Sequence, residues 1–226
     1  MSDDIKYWHL RNHKLFWVLN NSQIRQLCIL ANFKKAKKGE IFQFSDPENP
    51  RIYFLKKGNI KIVEVDESGN ELIVDIIQKG EIFGELDNGL GKPGNEYAQA
   101  LTDQVVLCSF FVADFERLLV AYPNLALTYT KFVGFQLKRI KNNYSNLFFK
   151  SAKQRLISFL KDWVDREGTQ TEGRVYLKNY LTHQEISQII CTSRQTATQI
   201  LNQWESEGIL VYSRKEIIIN DLNRLN

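Results

Sequence analysis

Residues 181–201 read Leu-Thr-His-Gln-Glu-Ile-Ser-Gln-Ile-Ile-Cys-Thr-Ser-Arg-Gln-Thr-Ala-Thr-Gln-Ile-Leu. Thr182 followed three residues later by Glu185 is a capping box, in which each side chain satisfies an orphan backbone amide of the other, so a helix is predicted from Thr182. Its Ile186, Ile189 and Ile190 can face inward. The pattern breaks at Cys191-Thr192, and Ser193 stands where it can cap a second helix with Ala197, Ile200, Leu201 and Trp204 on one side. Two short helices across a tight turn make a helix-turn-helix unit. Opposite the apolar side, Arg194, Gln195, Thr198 and Gln199 lie exposed on the first turns of the second helix, the part that such a unit presents to the DNA major groove. Arg can donate twice to guanine and Gln can pair with adenine. Past Gly208, Ile209–Tyr212 and Glu216–Ile219 flank Ser213-Arg214-Lys215, which predicts a hairpin wing with Arg214 and Lys215 at a basic tip. An ordinary helical pair would explain the two helices alone. Cap, turn, polar face and basic wing together point to double-stranded DNA.

Upstream the period is also helical. Asp114 is predicted to cap a short helix ending before Pro123, and a long helix follows to about Phe149. Ala126, Val133, Ile140 and Leu147 recur at seven-residue spacing, with Thr130, Leu137 and Tyr144 offset by four, giving an alternating stripe over three heptads. That stripe predicts a homodimer seam. A second apolar face (Leu125, Phe132, Phe135) is free to pack on the preceding domain, and Phe148-Phe149 marks a bend. The alternative is one buried helix without a partner.

The first half reads differently. Eight of the 12 Gly lie from Gly39 to Gly94, and a phrase recurs: Lys-Lys-Gly-Glu at 37–40, Lys-Lys-Gly-Asn at 56–59 and Gln-Lys-Gly-Glu at 78–81. Each phrase precedes an apolar or alternating run, which predicts an antiparallel β barrel or sandwich. The clearest strands are Arg51–Leu55, Asn59–Val65, Leu72–Ile77 and Val105–Phe110, with Ser68-Gly69-Asn70 as the best hairpin turn. The fold expected is α+β: a β-roll over 1–113, a dimerisation helix over 114–150 and a winged helix-turn-helix over 151–226.

Charge follows the same division. The chain's 226 residues carry a net +4, yet residues 1–113 hold 14 Lys or Arg against 15 Asp or Glu, and residues 114–226 hold 16 against 11. Between Glu116 and Asp162 there is no acidic residue and there are nine basic ones. Such a run is usually a solvated helix face, and it supports nucleic-acid binding only beside the helix-turn-helix. No window approaches 18 apolar residues and the N-terminus lacks a signal-peptide pattern, which predicts a cytoplasmic protein with no membrane partner. The three Cys (Cys28, Cys108, Cys191) are dispersed, so neither a disulfide framework nor a CxxC metal site is expected. Enzyme chemistry of the cupin kind needs a His-rich cluster on the strands, and no His falls between His13 and His183. There is no P-loop and no G-x-S-x-G either.

Gly80-Glu81-Ile82-Phe83-Gly84-Glu85-Leu86 and Ala100-Leu101-Thr102-Asp103 resemble the cyclic-nucleotide-binding fold. Gln154-Arg155-Leu156-Ile157-Ser158-Phe159-Leu160 and Gln184-Glu185-Ile186…Ser193-Arg194-Gln195-Thr196 look like the matching landmarks of the CRP/FNR family of bacterial transcription regulators, in the family's order. The resemblance implies a homodimer binding a two-fold-related operator, with RNA polymerase as a further candidate partner. It makes Arg194 and Gln195 first-rank base readers, makes Gln199 a second-rank one, and has Thr182 and Ser193 contact phosphates through their hydroxyls and the helix-start amides. It points to Gly84, Glu85, Leu86, Lys92, Tyr97 and Ala98 as an effector pocket. Many members have Glu where Gln195 stands, which predicts a half-site altered at that base pair, since Gln also donates. Cys191 occupies a turn position where Gly is common, which predicts a strained turn.

Nucleotide-binding members hold the cyclic phosphate with an Arg about ten residues past the Gly-Glu-Leu phrase. Gly94, Asn95 or Glu96 falls there, and Lys92 is the only basic residue between Glu85 and Ala100. Cyclic AMP in the usual mode is therefore not expected. Three dispersed Cys do not supply the four thiolates of an iron–sulfur cluster. The sequence names no cofactor. Control by another small effector or by abundance is expected. The alternatives are a cyclic-nucleotide-responsive regulator with a non-standard phosphate site, or a haem-based gas or redox sensor using His9 and His13. Against the haem reading, both His would be surface residues of a short helix packed on the roll.

Overall fold

The computed structural model describes residues 2–42, 49–84 and 95–225, apart from the Asn223 side chain. It begins with helix α1 (Asp3–Arg11), a 3-10 turn (Phe16–Val18) and α2 (Asn21–Leu30). Eight strands follow: β1 (Asn32–Ala36), β2 (Ile41–Phe42), β3 (Arg51–Lys57), β4 (Ile60–Val65), β5 (Glu71–Ile77), β6 (Ile82–Gly84), β7 (Glu96–Ala100) and β8 (Val105–Phe111). Next come α3 (Val112–Ala121), α4 (Pro123–Phe149) and α5 (Ala152–Glu167). The chain ends with β9 (Thr169–Thr171), β10 (Arg174–Lys178), α6 (His183–Ile189), α7 (Arg194–Ser206), β11 (Leu210–Tyr212) and β12 (Glu216–Ile219). The chain divides into two compact units, Met1–Lys138 and Arg139–Asn226, at a point inside α4.

In the first unit, antiparallel sheets ordered β1-β8-β3-β6 and β2-β7-β4-β5 form the roll. Its interior takes Leu55, Ile60, Ile62, Phe83, Ala98 and Leu107. Strand β8 reads Val-Val-Leu-Cys-Ser-Phe-Phe and is buried at all but its last residue. The cause is that its other face is covered as well. Leu10, Phe16, Ile24 and Leu27 from the N-terminal helices, with Phe115 from α3, pack on Phe54, Cys108 and Phe110. Strands buried on both faces read as continuous apolar runs rather than alternating ones. The expected hairpin turn forms where Asp66 accepts from the Ser68 and Asn70 amides at 2.8 Å each. At the β3–β4 turn Gly58 has φ +81, and a Cβ there would lie 2.5 Å from Thr102 Oγ1. Only glycine fits.

Several local expectations need correction. Helix α3 starts at Val112, with Phe111 as an N-cap that offers no side-chain bond. Asp114 lies inside the first turn and pairs with Arg117 instead. Pro123 opens α4, where its fixed φ and missing N–H cost nothing. Of the second apolar face on α4, Leu125 is fully buried, whereas Phe135 is 63% exposed. The helix runs unbroken through Phe148 and Phe149. The change of direction comes at Ser151, which caps α5 in a capping box with Gln154.

The second unit joins α5–α7 to a four-stranded sheet ordered β11-β12-β10-β9. Trp163, Ala197, Leu201, Trp204 and Ile217 are buried in it. Hairpin β9–β10 is not anticipated by the sequence reading. It turns at Glu172 and Gly173, both at positive φ (52° and 78°), as a two-residue hairpin loop requires.

Candidate nucleic-acid interface

Helix α6 begins as its sequence dictates. Thr182 Oγ1 accepts from the Glu185 amide at 3.2 Å, and Glu185 Oε2 accepts from the Thr182 amide at 2.8 Å. Ser193 caps α7 by accepting from the Thr196 amide at 3.0 Å. Both hydroxyls are engaged further, since Thr182 donates to Glu185 and Ser193 shares a bond with Thr196 Oγ1. The two hydroxyls are thus committed within the protein, and the polar groups left over at these helix starts are backbone amides.

On α7, Ala197, Leu201 and Trp204 are buried, while Arg194, Gln195 and Gln199 are exposed and their side chains make no hydrogen bond among the described residues. Residues four apart share a helix face, so Gln195 lines up with Gln199 and Arg194 with Thr198, two adjacent rows that make one polar face at the start of the helix. Thr198 belongs to that face by spacing but is half-buried, its Oγ1 2.9 Å from His183 Nδ1. His183 is a hub that the sequence reading passed over. Its ring meets Tyr212 edge-on at 4.7 Å, and Tyr212 donates to the Leu181 carbonyl at 2.9 Å. Burial, then the Arg194 charge, pulls the His183 pKa below its ordinary value, with Glu205 acting in the opposite sense. The imidazole is thus neutral near pH 7, and the cation of the polar face is Arg194.

The wing is held from beneath by a buried asparagine. Asn179 donates through Nδ2 to the Ser213 carbonyl at 2.7 Å and through its amide to the Lys215 carbonyl at 2.9 Å. Ser213 Oγ accepts from the Glu216 amide at 3.0 Å. Arg214 and Lys215 are left exposed at the tip.

A second residue missed at the sequence level fixes the turn between the helices. Arg155 donates to the carbonyls of Ile190 (2.7 Å), Cys191 (3.0 Å) and Lys150 (2.6 Å). It satisfies carbonyls that α6 leaves unpaired at its C-terminal end, so it is a structural cation rather than a member of a DNA-facing run. Cys191 sits in that turn at φ 52.

Of the expected effector pocket, the structure describes Gly84, Tyr97 and Ala98. Glu85, Leu86 and Lys92 lie outside the described residues. Tyr97 and Ala98 are successive residues of β7 and point to opposite faces: Ala98 is fully buried in the roll, and Tyr97 donates to Glu71 Oε1 at 2.8 Å. That bond follows burial as a cause of the Tyr97 pKa rising to about 12. Gly84 stays at the sheet edge, where a Cβ would meet the Arg51 carbonyl at 2.4 Å. The paired-histidine reading also changes. His13 lies beyond α1, is 4% exposed and packs on Phe16 and Phe54. It is neither a surface residue nor one of two ligands on a helix face.

With this geometry in hand, the family model of the cyclic nucleotide-binding domain matches residues 33–122, and that of the Crp-like helix-turn-helix domain matches residues 154–226. The chain belongs to the CRP/FNR family. It is a CRP-like DNA-binding transcription regulator. The global nitrogen regulator of Synechocystis is 25% identical over 85% of both chains. The CRP-like cAMP-activated global transcriptional regulator of Mycobacterium tuberculosis is 27% identical over 82% of both. Among solved structures, a CooA variant from Carboxydothermus hydrogenoformans superposes with a TM-score of 0.71 at 22% identity, over 88% of each chain. FixK2 from Bradyrhizobium japonicum gives 0.70 at 18%, over 86% of this regulator and 95% of FixK2. These two establish the fold. The relatives are regulators, and the cupin-like enzyme reading falls away. No helix among the described residues of this CRP/FNR chain is long and apolar enough to cross a membrane.

Proposed function

We infer that the regulator binds a two-fold-related operator as a homodimer joined along α4, with Arg194 and Gln195 reading bases, Gln199 assisting, and Arg214 and Lys215 meeting flanking phosphates. The observation that carries this reading is the exposed, unbonded polar face of Arg194, Gln195 and Gln199 on the first turns of α7. A bidentate guanidinium is worth about 1–3 kcal/mol of base discrimination. Arg194→Ala should therefore lose about ten- to hundred-fold affinity for a selected operator and accept any base at one position per half-site, measured by fluorescence anisotropy on a substitution series. An unchanged preference would remove Arg194 from base reading. With Gln in place of the Glu common at position 195, binding-site selection should return a half-site altered at that base pair. Recovery of the usual G·C there overturns this part.

Control by cyclic AMP is not part of the reading. The stretch from Glu85 to Ala100 carries Lys92 as its only cation, and an anionic phosphate in a roll needs a fixed cationic partner. Micromolar cyclic AMP affinity in a calorimetric titration would reverse it. A different small effector, or abundance, supplies the control, and RNA polymerase is the further partner through which bound regulator acts.

A further inference from the structure

The first unit buries two hydrogen-bond donors without acceptors. Lys56 is 6% exposed and His13 4%, and among the described residues neither Lys56 Nζ nor His13 Nε2 has a hydrogen-bond partner. They stand against the same rings. Lys56 Nζ lies 5.1 Å from the centroid of Phe16 and 5.3 Å from that of Phe54, and the His13 ring is 5.5 and 5.4 Å from those two. His13 Nδ1 accepts from the Leu15 amide at 3.2 Å, so the neutral ring carries its proton on Nε2. Both unmet groups are therefore donors, and what each lacks is an acceptor. The Gly80 backbone carbonyl acts on the His13 ring as a weak acceptor and falls short of a well-formed hydrogen bond to Nε2.

The backbone delivers these lysines deliberately. Register between β3 and β8 shifts between Leu55 and Lys57, which makes Lys56 the extra residue of a β-bulge, a device that re-aims side chains. Past the bulge Lys57 opposes Val106, and on the other side of β8 Lys35 opposes the same Val106. Lys35 and Lys57 thus share one row across three strands. The largest charges acting on His9 of α1, after burial, are Lys56, Lys35, Lys57 and Lys79, all cationic. On Lys56 itself, Cys108 is the one titratable neighbour that acts among the described residues. Lys57 is held by the neutral Gln104 amide. Cations from β1, the β3 bulge and the β5–β6 turn therefore act together on His9, and Lys56 acts on His13 as well. A buried, unpaired ammonium is costly, and its field is weakly screened.

We propose that this end of the roll, formed by Lys35, Lys56, Lys57 and Lys79 with His9 and His13, binds a small multivalent anion carrying phosphate or carboxylate groups. The exposed Lys35, Lys57 and Lys79 and the half-buried His9 make the accessible part, and Lys56 and His13 lie beneath it. The proposal does not depend on the DNA reading, so its test contains no DNA. The full chain is titrated calorimetrically with inorganic pyrophosphate and with citrate, ionic strength being held constant with potassium chloride. One saturable site is expected for at least one probe, and which one distinguishes a phosphate-bearing ligand from a carboxylate-bearing one. Lys56→Met should weaken binding at least ten-fold and the surface variant Lys79→Met several-fold, while Lys131→Met on α4 should bind as the parent does. Absence of saturable binding by both probes overturns the proposal. So does equal affinity in Lys79→Met, Lys56→Met and Lys131→Met, which would leave only a general response to anions.

Discussion

Cys191 takes φ 52 in the turn between α6 and α7, a conformation in which a side chain crowds the following carbonyl at a cost of about 1–2 kcal/mol. Glycine adopts it without that clash but loses more chain entropy on folding. Its thiol is exposed, so little packing is lost on removal. Cys191→Gly should therefore stabilise the second unit by about 1 kcal/mol, seen as a raised midpoint in denaturant unfolding. An unchanged or lowered midpoint would mean that the chain entropy glycine loses on folding offsets the strain it relieves. This residue shows what a sequence yields at the smallest scale. Its place in a glycine-favouring turn was legible, because the capping residues Thr182 and Ser193 bracket it. Arg155, 36 residues away, was legible as part of a family landmark and of a run of charges, but its bond to this turn had no local mark.

Among the elements, α4 bears the clearest unanswered face. Val133, Leu137, Ile140, Tyr144 and Leu147 are 43–66% exposed along one stripe of the isolated chain, and a contiguous apolar stripe of this length in water marks an interface. Ile140→Glu places a charge in the middle of that seam. It should turn the proposed dimer into monomer by sedimentation equilibrium and cost operator affinity about 100-fold or more, because the two half-sites lose their linkage. Phe135→Glu, on the opposite side of the helix, should leave the dimer intact. The reverse pattern would move the seam to the other face. The heptads were legible because helical spacing is local, as were the caps of α6 and α7 and the hairpin at Ser68-Gly69-Asn70. Less was legible where tertiary contact decides. The three residues of β9 are all exposed and show no alternation to mark a strand. The α3 start depends on β8 ending at Phe111, not on Asp114. A bulge such as that at Lys56 has no signature in the order of residues.

For the molecule taken as its two units, pH separates what composition averages. Burial brings Lys56 down from 10.5 to about 8, so between those values the unfolded chain holds a proton that the folded one has released, and stability rises with pH. Cys108 opposes it higher up. Burial lifts its thiol from 9.0 to about 12, and above 9 the unfolded chain sheds a proton that the folded one keeps, so stability falls. Between pH 8 and 9 Lys56 acts without that opposition, and the first unit should gain about 1 kcal/mol. On the acid side, burial and then Lys56 hold His13 well below 6.5. Its ring stays neutral in the fold while the unfolded chain protonates, so stability is full above 6.5 and is lost as pH falls below it. His183 imposes the same acid loss on the second unit, which has no counterpart of Lys56. Scanning calorimetry across pH 5–9 should thus resolve one transition that climbs between pH 8 and 9 and one that does not, both weakening in acid. Lys56→Met should remove the climb and leave the acid loss. A climb that survives the substitution would assign it to another group and would detach the lysine's burial from the stability of the roll.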